Sequence, residues 1–141
     1  MKTAQGIATL LLRIALAAGF FSAAASRLGL WGKQSSGWNN FLAYTAEVNS
    51  FVPTSTIPFL AIVSTILEIA FGILLLIGYQ TRWAAVGAAI LTLLFALAMT
   101  YSSGIKSPLD YSVFAVCTGA FLLATIPQYP WSIDQLISLN K

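Results

Sequence analysis

Two long stretches of the chain, residues 83–105 and residues 111–133, carry no charged residue at all. Each is longer than the roughly 20 apolar residues that a helix needs to cross a bilayer core of about 30 Å. The 141 residues include only seven Lys and Arg and four Asp and Glu. A water-soluble domain averages about 25% charged residues, so these charges are too few to cover its surface. The sequence therefore predicts an integral membrane protein.

The composition excludes several classes of function. The chain has no His and a single Cys, Cys117, so it lacks the ligands for a structural zinc site or a His-ligated haem. One Cys also excludes an intramolecular disulfide and a Cys-x-x-Cys redox pair. The Lys and Arg residues are scattered without a basic stripe, which argues against nucleic acid as a partner. We therefore expect no metal site, no intrinsic cofactor and no stand-alone enzyme.

The predicted fold is all-α, a bundle of four transmembrane helices in a single domain, residues 1–141. Apolar stretches bounded by helix breakers place the spans at about 4–27, 57–78, 83–103 and 109–127. The first stretch also resembles a secretory signal peptide, but Arg13 inside its apolar part argues against cleavage. Four crossings put both termini on one side of the membrane.

The distribution of positive charge leaves the orientation nearly undetermined. The predicted topology divides six basic residues equally between the two sides, with Lys2, Arg82 and Lys141 on one and Arg27, Lys33 and Lys106 on the other. The positive-inside rule therefore gives a tie. We place the termini in the cytoplasm as a working assumption.

The long connection between the first two spans, residues 31–56, is rich in aromatic residues. Its aromatic side chains are Trp31, Trp38, Phe41, Tyr44 and Phe51. Such residues concentrate at the boundary between membrane and water. The part from Trp38 to Asn49 is expected to form a short helix on that boundary. It would serve either as a structural cap or as a lid that also shapes a binding site.

Two charged residues fall deep inside predicted spans, where an ionisable group costs about 2.5–3.5 kcal/mol and is a functional candidate by default. Arg13 lies about 13 Å into the first span, and Glu68 lies about 15 Å from the opposite end of the second. Because neighbouring spans run in opposite directions, the two are expected to pair near the midplane. By the same arithmetic Thr92 and Cys117 join this layer.

The buried polar layer is open to three interpretations. Arg13 and Glu68 either fix the helix register only, or bind a polar headgroup or quinone carbonyl together with Thr92, or use Glu68 as a proton relay. Cys117 by itself is typical of a small core residue rather than a nucleophile.

A second polar group is predicted near the surface and would form the mouth of a cavity. Its members are Arg27, Trp38, Tyr101, Asp110 and Tyr111. Arg27 lies 14 residues after Arg13 on the same helix face and is expected to reach Asp110. The alternative for Asp110, which follows Pro108, is the cap at the start of a helix.

Four groups of residues, in this order along the chain, are similar to motifs of a known family. They are Leu11-Leu12-Arg13 with Gly19-Phe20, then Glu68 with Gly72, Leu74–Gly78 and Thr81-Arg82, then Lys106–Phe114, and finally Trp131–Asp134. Over nearly its whole length the chain resembles the DoxX family of small bacterial integral membrane proteins. The resemblance implies the bacterial cytoplasmic (inner) membrane and assigns the family's Arg, Glu and loop Asp to Arg13, Glu68 and Asp110. The chain departs from the family at residues 25–28, where relatives often have Gly and Lys.

The resemblance implies a role in a quinone-linked redox or oxidative-stress system. The family is named after a subunit associated with a terminal quinol oxidase, so we expect a non-haem partner or anchor subunit of an oxidoreductase. A quinone or another small amphipathic molecule would be its ligand. The alternative is a scaffold or assembly factor without a cofactor, and a small transporter is disfavoured because no inverted repeat is visible. Expected partners are the lipid bilayer, redox enzyme subunits, other membrane proteins and a second copy of the chain.

Overall fold

The structure, a computed structural model, describes residues 3–140. Within these residues the chain forms helices and no strand. The helices are α1 (Thr3–Arg27), α2 (Trp38–Val48), α3 (Ile57–Ile77), α4 (Thr81–Ser103), α5 (Lys106–Asp110), α6 (Val113–Thr125) and α7 (Ile133–Leu139). The all-helical prediction is confirmed. Lys2 and Lys141, which entered the count of positive charges, lie outside the described residues.

Three helices, α1, α3 and α4, are long and apolar enough to cross a membrane. Large apolar side chains on their outer surfaces are exposed, for example Leu11, Phe59 and Leu94. An outer surface of this kind is stable where the surrounding solvent is hydrocarbon rather than water. The chain is therefore a multi-pass membrane protein.

The region predicted as a fourth span, residues 109–127, has a different form. Residues 106–110 make the separate helix α5, and Ser112 adopts a left-handed conformation with a φ of 55°. This residue breaks the helical path, so α6 begins only at Val113. The 13 residues of α6 correspond to about 20 Å of helix.

The long helices pack as antiparallel neighbours, and small residues allow the close contacts. A turn at Gly78–Gln80 joins α3 to α4. Gly78 ends α3 in the left-handed conformation that glycine adopts without strain. Buried alanines of α4, at positions 84, 85, 88 and 89, form a core with Leu16 and Phe20 of α1 and Leu75 of α3.

Helix α2 lies against α3 and α4 at the end of the bundle where α1 stops, and we call it the lid. Phe41, Thr45 and Val48 form its buried face, so the helix expected from Trp38 to Asn49 is present. Its last turn is fixed to α4, because the Ser102 hydroxyl donates to the Val48 carbonyl at 2.6 Å. The Ser50 hydroxyl lies 2.8 Å from Ser102 Oγ.

Substituting Gly78→Ala should destabilise the protein by about 2–5 kcal/mol, because it adds backbone strain to a steric clash. At a φ of 70°, an added Cβ would lie 2.3 Å from Arg13 Nη2 and 2.4 Å from Ser132 Cβ. Gly29→Ala is the matched control, since its φ is 76° but no atom lies within 4 Å of the added Cβ. The control should lose only about 1–2 kcal/mol. Thermal unfolding in detergent measures both, and equal losses would contradict the predicted clash.

Candidate functional site

Arg13 is 1% exposed and does not contact Glu68. Its guanidinium donates to four backbone carbonyls instead. Nε reaches Leu75 O at 3.0 Å, and Nη2 reaches Leu76 O at 3.2 Å. Nη1 donates to Pro130 O at 3.0 Å and to Trp131 O at 3.3 Å. The predicted Arg13–Glu68 pair is therefore wrong.

The error lies in the assumed helix register. Equal depth for Arg13 and Glu68 requires the start of α1 and the end of α3 to lie at the same surface, but α1 extends past the end of α3, whose last turn meets Arg13. The first residues of α1 pack on the C-terminal segment, so that Gly6 faces Pro130 and Trp131. Arg13 thus meets the last turn of α3, where carbonyls lack partners within the helix and the helix dipole favours a cation.

The C-terminal segment completes this arrangement through Asp134. Its carboxylate accepts hydrogen bonds from the backbone N–H groups of Gln80 and Thr81, both at 2.8 Å, at the start of α4. The Asp134 N–H donates to Gly78 O at 2.9 Å. We call Arg13, Asp134 and the segment 130–134 the tail clasp. The tail clasp forms hydrogen bonds with backbone groups at the end of α3 and the start of α4 that have no partner within their helices, which indicates a structural role for Arg13.

Glu68 pairs with Arg27, the last residue of α1. The Arg27 Nη1 atom lies 2.6 Å from Glu68 Oε2, and Nη2 donates to Oε1 at 3.1 Å. Nη1 also donates to the Thr65 hydroxyl at 3.0 Å. The guanidinium carbon lies 3.8 Å from the centre of the Phe41 ring on the lid. Arg27 is thus held in two-point contact with a carboxylate and covered by an aromatic face, the strongest geometries open to an Arg side chain.

The predicted contact between Arg27 and Asp110 is also wrong. Asp110 accepts from Lys106 one turn earlier in α5, and both side chains are exposed. Asp110 does not cap a helix, since α6 begins at Val113 with no side-chain cap. The separate helix α5 keeps Asp110 at the surface, whereas Arg27 turns inward toward α3.

The Arg27–Glu68 pair forms part of the wall of a cavity of about 290 Å³ between the lid, α3 and α4. Its lining residues are Arg27, Phe41, Thr45, Asn49, Leu60, Val63, Ser64, Leu67, Glu68, Leu91, Thr92, Leu94 and Phe95. Most of the lining is apolar, and Leu94 is exposed on the outer surface. The cavity therefore combines a largely buried ion pair with a mostly apolar lining that includes the lipid-exposed Leu94.

The four predicted members of the buried polar layer are thus divided. Glu68 and Thr92 line the cavity, while Arg13 belongs to the tail clasp. Cys117 lies in the core and donates to Ala89 O at 3.3 Å, the carbonyl that Thr92 Oγ1 also contacts at 3.2 Å. Cys117 and Thr92 are neighbours as predicted, but Cys117 does not line the cavity.

The residues predicted for the cavity mouth are dispersed as well. Trp38 packs on Phe41 of the lid, with ring centres 5.7 Å apart. Tyr101 is exposed and packs on Phe51 at 5.2 Å. Tyr111 is exposed and lies at a second groove. Of the predicted mouth residues, Arg27 itself lines the cavity, and Trp38 is near it through Phe41.

The second groove, of about 440 Å³, lies between α1, α4 and α6. Small residues of α1 and α6 line much of it, namely Ala15, Gly19, Ala115 and Gly119. Nothing lies within 4 Å of a Cβ built on Gly19. Thr92 and Phe95 line both this groove and the cavity under the lid, so α4 separates the two.

Phe41, Thr65 and Asp134 contribute to these sites but were not assigned to them from the sequence. Thr65 precedes Glu68 by three positions, a spacing that places both on one helix face. The sequence holds no signal that joins Asp134 to residues 80–81, because the contact depends on the path of the tail. No cluster of three or more Cys, Asp and Glu side chains suited to a metal ion occurs in the range 3–140.

Burial raises the pKa of Tyr44 on the lid, and the nearby Tyr111 and Glu47 raise it further. The ring of Tyr44 packs against Phe95 with centres 6.2 Å apart. Its phenol therefore stays protonated and uncharged at neutral pH, so it brings no charge to the cavity region.

Glu68→Gln should destabilise the protein by about 2–4 kcal/mol, because Arg27 loses its counter-charge in a largely buried position. A second substitution, Arg27→Met, should restore part of the loss by removing the unpaired cation. Asp110→Asn is the control, since it breaks the exposed pair with Lys106 and should change the free energy of unfolding by less than about 0.5 kcal/mol. Denaturant titration in detergent measures all three, and an additive double variant would contradict the pairing.

Arg13→Leu should release the tail clasp while α2 stays in place. The carbonyls of Pro130 and Trp131 lose their donor, so amide hydrogen exchange should increase across residues 129–136. Arg13→Lys should give an intermediate effect, because one ammonium cannot match the spread of the guanidinium donors. Lys106→Leu serves as a control for removing a cation at an exposed site. Unchanged exchange in the tail of the Arg13→Leu variant would contradict the clasp.

The comparisons with known proteins identify a family. A family model described as "Methylamine utilisation protein MauE" matches residues 5–110, that is 106 of the 141 residues. No curated protein and no solved structure matches the chain. The resemblance to the DoxX family is therefore wrong, since the matching model belongs to a different membrane family. Several of the quoted DoxX motifs, such as Leu11-Leu12-Arg13 and Leu74–Gly78, are short runs within apolar helices and are not specific to one family. Because the match covers most of its length, the chain belongs to the MauE family.

Proposed function

We propose that this chain is a membrane accessory protein of a methylamine utilisation process, and that it binds a small amphipathic ligand in the cavity under the lid. The process comes from the description of the MauE family. The ligand site comes from the Arg27–Glu68 pair in the wall of a cavity that is otherwise mostly apolar. This pair is the observation that carries the proposal.

The cavity suits an amphipathic ligand for two reasons. It is lined both by polar groups, including Glu68, Ser64 and Thr92, and by a larger number of apolar side chains. A ligand whose headgroup meets these groups and whose chain leaves past Leu94 would bury both parts in matching surroundings. Because Leu94 faces lipid, such a ligand would enter from within the membrane.

An accessory role fits the reactive groups of the chain better than catalysis does. There is no His in the sequence, and the one Cys is buried with its thiol directed to a backbone carbonyl. Glu68 is held by Arg27, which leaves it poorly placed to move protons. A redox partner would carry out the electron transfer. A quinone remains a candidate ligand, and the cavity is the only observation that supports it.

A membrane scaffold is the second candidate, and the groove between α1 and α6 favours it. The small residues that line this groove would let another transmembrane helix approach closely. In that case the surface around Gly19, rather than the cavity under the lid, would carry the function.

We further propose that α6 and the turn that follows it make a fourth crossing, which would place both termini on one side of the bilayer. Helix α6 is shorter than the hydrocarbon core, which is about 30 Å thick. Residues 126–130 would span the remaining thickness. Location in the cytoplasmic membrane of a bacterium, with cytoplasmic termini, belongs to the same proposal. Reporter fusions at each terminus test it, and opposite locations would contradict it.

The ligand proposal is tested by mass spectrometry of the organic extract of protein purified gently from its own membranes. Wild-type protein should yield one small molecule at near 1:1 ratio. Val63→Trp, which fills the cavity from α3, should lose it. Ala15→Trp, which fills the groove between α1 and α6, should retain it. Loss in the Ala15 variant alone would move the function to the groove, and an empty wild-type extract with co-purifying membrane proteins would favour the scaffold.

A further inference from the structure

The hydroxyl groups that line the cavity under the lid already donate their protons within the protein. Each donates to a carbonyl three or four residues earlier in its own helix, at 2.7 Å for Thr45, 3.1 Å for Ser64 and 2.8 Å for Thr92. A hydroxyl in this state retains lone pairs and can accept a further hydrogen bond. These three groups therefore meet a ligand as acceptors.

The charged pair leaves about two acceptor positions on Glu68 and about two N–H donors on Arg27, whose guanidinium has five donors and uses three. The terminal nitrogens of Arg27 contact Glu68 and Thr65, and Phe41 covers the face of the guanidinium. A carboxylate offers about four acceptor positions, and Arg27 contacts each oxygen of Glu68 once. Asn49 donates to Thr45 O at 2.9 Å and contributes one further amide hydrogen and one acceptor. On this wall acceptors outnumber free donors.

The pair also limits the charge of a ligand. Arg27 and Glu68 lie 2.6 Å apart and cancel each other, so the cavity is electrically neutral as it stands. A ligand with net charge would add an uncompensated charge to a site surrounded by hydrocarbon, where such a charge is costly. A neutral headgroup avoids this cost.

From the acceptor excess and the charge balance together, we infer that the cavity takes an uncharged, hydroxyl-bearing headgroup on an apolar chain, namely an alcohol or a phenol, hydroquinones included. The inference rests on the proposed function, in which the cavity binds an amphipathic ligand. It ranks headgroups that only accept hydrogen bonds, such as the carbonyls of an oxidised quinone, below headgroups that donate one. The hydroxyl donates to Glu68 or to one of the hydroxyl oxygens of the wall.

The test compares probes that differ in the hydrogen-bond donor or in charge. Purified protein in detergent is titrated with 4-butylphenol, with its methyl ether 4-butylanisole and with protonated 4-butylbenzylamine, and bound ligand is counted by native mass spectrometry. Decylhydroquinone and decylquinone form a second pair. The phenol and the hydroquinone should bind 1:1. They should bind roughly tenfold or more tightly than the ether and the quinone, because the ether and the quinone cannot donate a hydrogen bond to a charged or polar acceptor.

Variants separate this inference from the proposed function. Val63→Trp should abolish binding of the phenol and Ala15→Trp should not, and Ser64→Leu is a second cavity-filling variant in case the first does not fold. If phenol and ether bind equally and both are lost in the filled variants, the cavity is a ligand site but the donor requirement is wrong. Tighter binding of the quinone or of the ammonium probe also overturns the inference. If no probe binds, or if filling the cavity changes nothing, the proposed ligand site itself is wrong.

Discussion

The contact between Arg13 and the last carbonyls of α3 determines how the rest of the bundle is arranged. Inside hydrocarbon, every polar backbone group needs a partner from the protein itself. Arg13 supplies donors to Leu75 and Leu76 and, through the same guanidinium, to the C-terminal segment. This contact sets the position of α1 along α3. Because Arg27 lies on the same face of α1, that position also brings Arg27 to Glu68 and completes the cavity wall.

The charges of the two buried arginines, Arg13 and Arg27, are therefore compensated in different ways. Within residues 3–140 no carboxylate contacts Arg13, and backbone carbonyl dipoles hold its guanidinium instead. Arg13 therefore has a structural role, since its partners are backbone groups at helix ends. Arg27 is held by a carboxylate and an aromatic ring and lies beside open space, which leaves its surroundings available to a ligand. The division explains why we assign binding to Glu68 and not to Arg13.

Much of the fold follows from local patterns in the sequence, and much of the site does not. The apolar stretches bounded by helix breakers and the Gly78 turn predict α3 and α4 well, and the interleaved aromatic residues predict the lid. The importance of Arg13, Arg27 and Glu68 follows from the cost of charge in a membrane. Their partners do not, because pairing depends on how far α1 extends past α3 and on the path of residues 126–134. Spacing along one helix cannot supply either quantity.

The sequence separation of the Arg13 contacts bears on how the protein is made. Two of its carbonyl partners lie 62 and 63 residues further along the chain, and the other two lie 117 and 118 residues further. During synthesis α1 enters the membrane long before any of them exists. Its cation must stay hydrated or at the lipid surface until α3 arrives, and it reaches its final partners only after residues 130 and 131 have been synthesised. The position of α1 in this small bundle is therefore fixed late, by residues more than a hundred positions further along the chain.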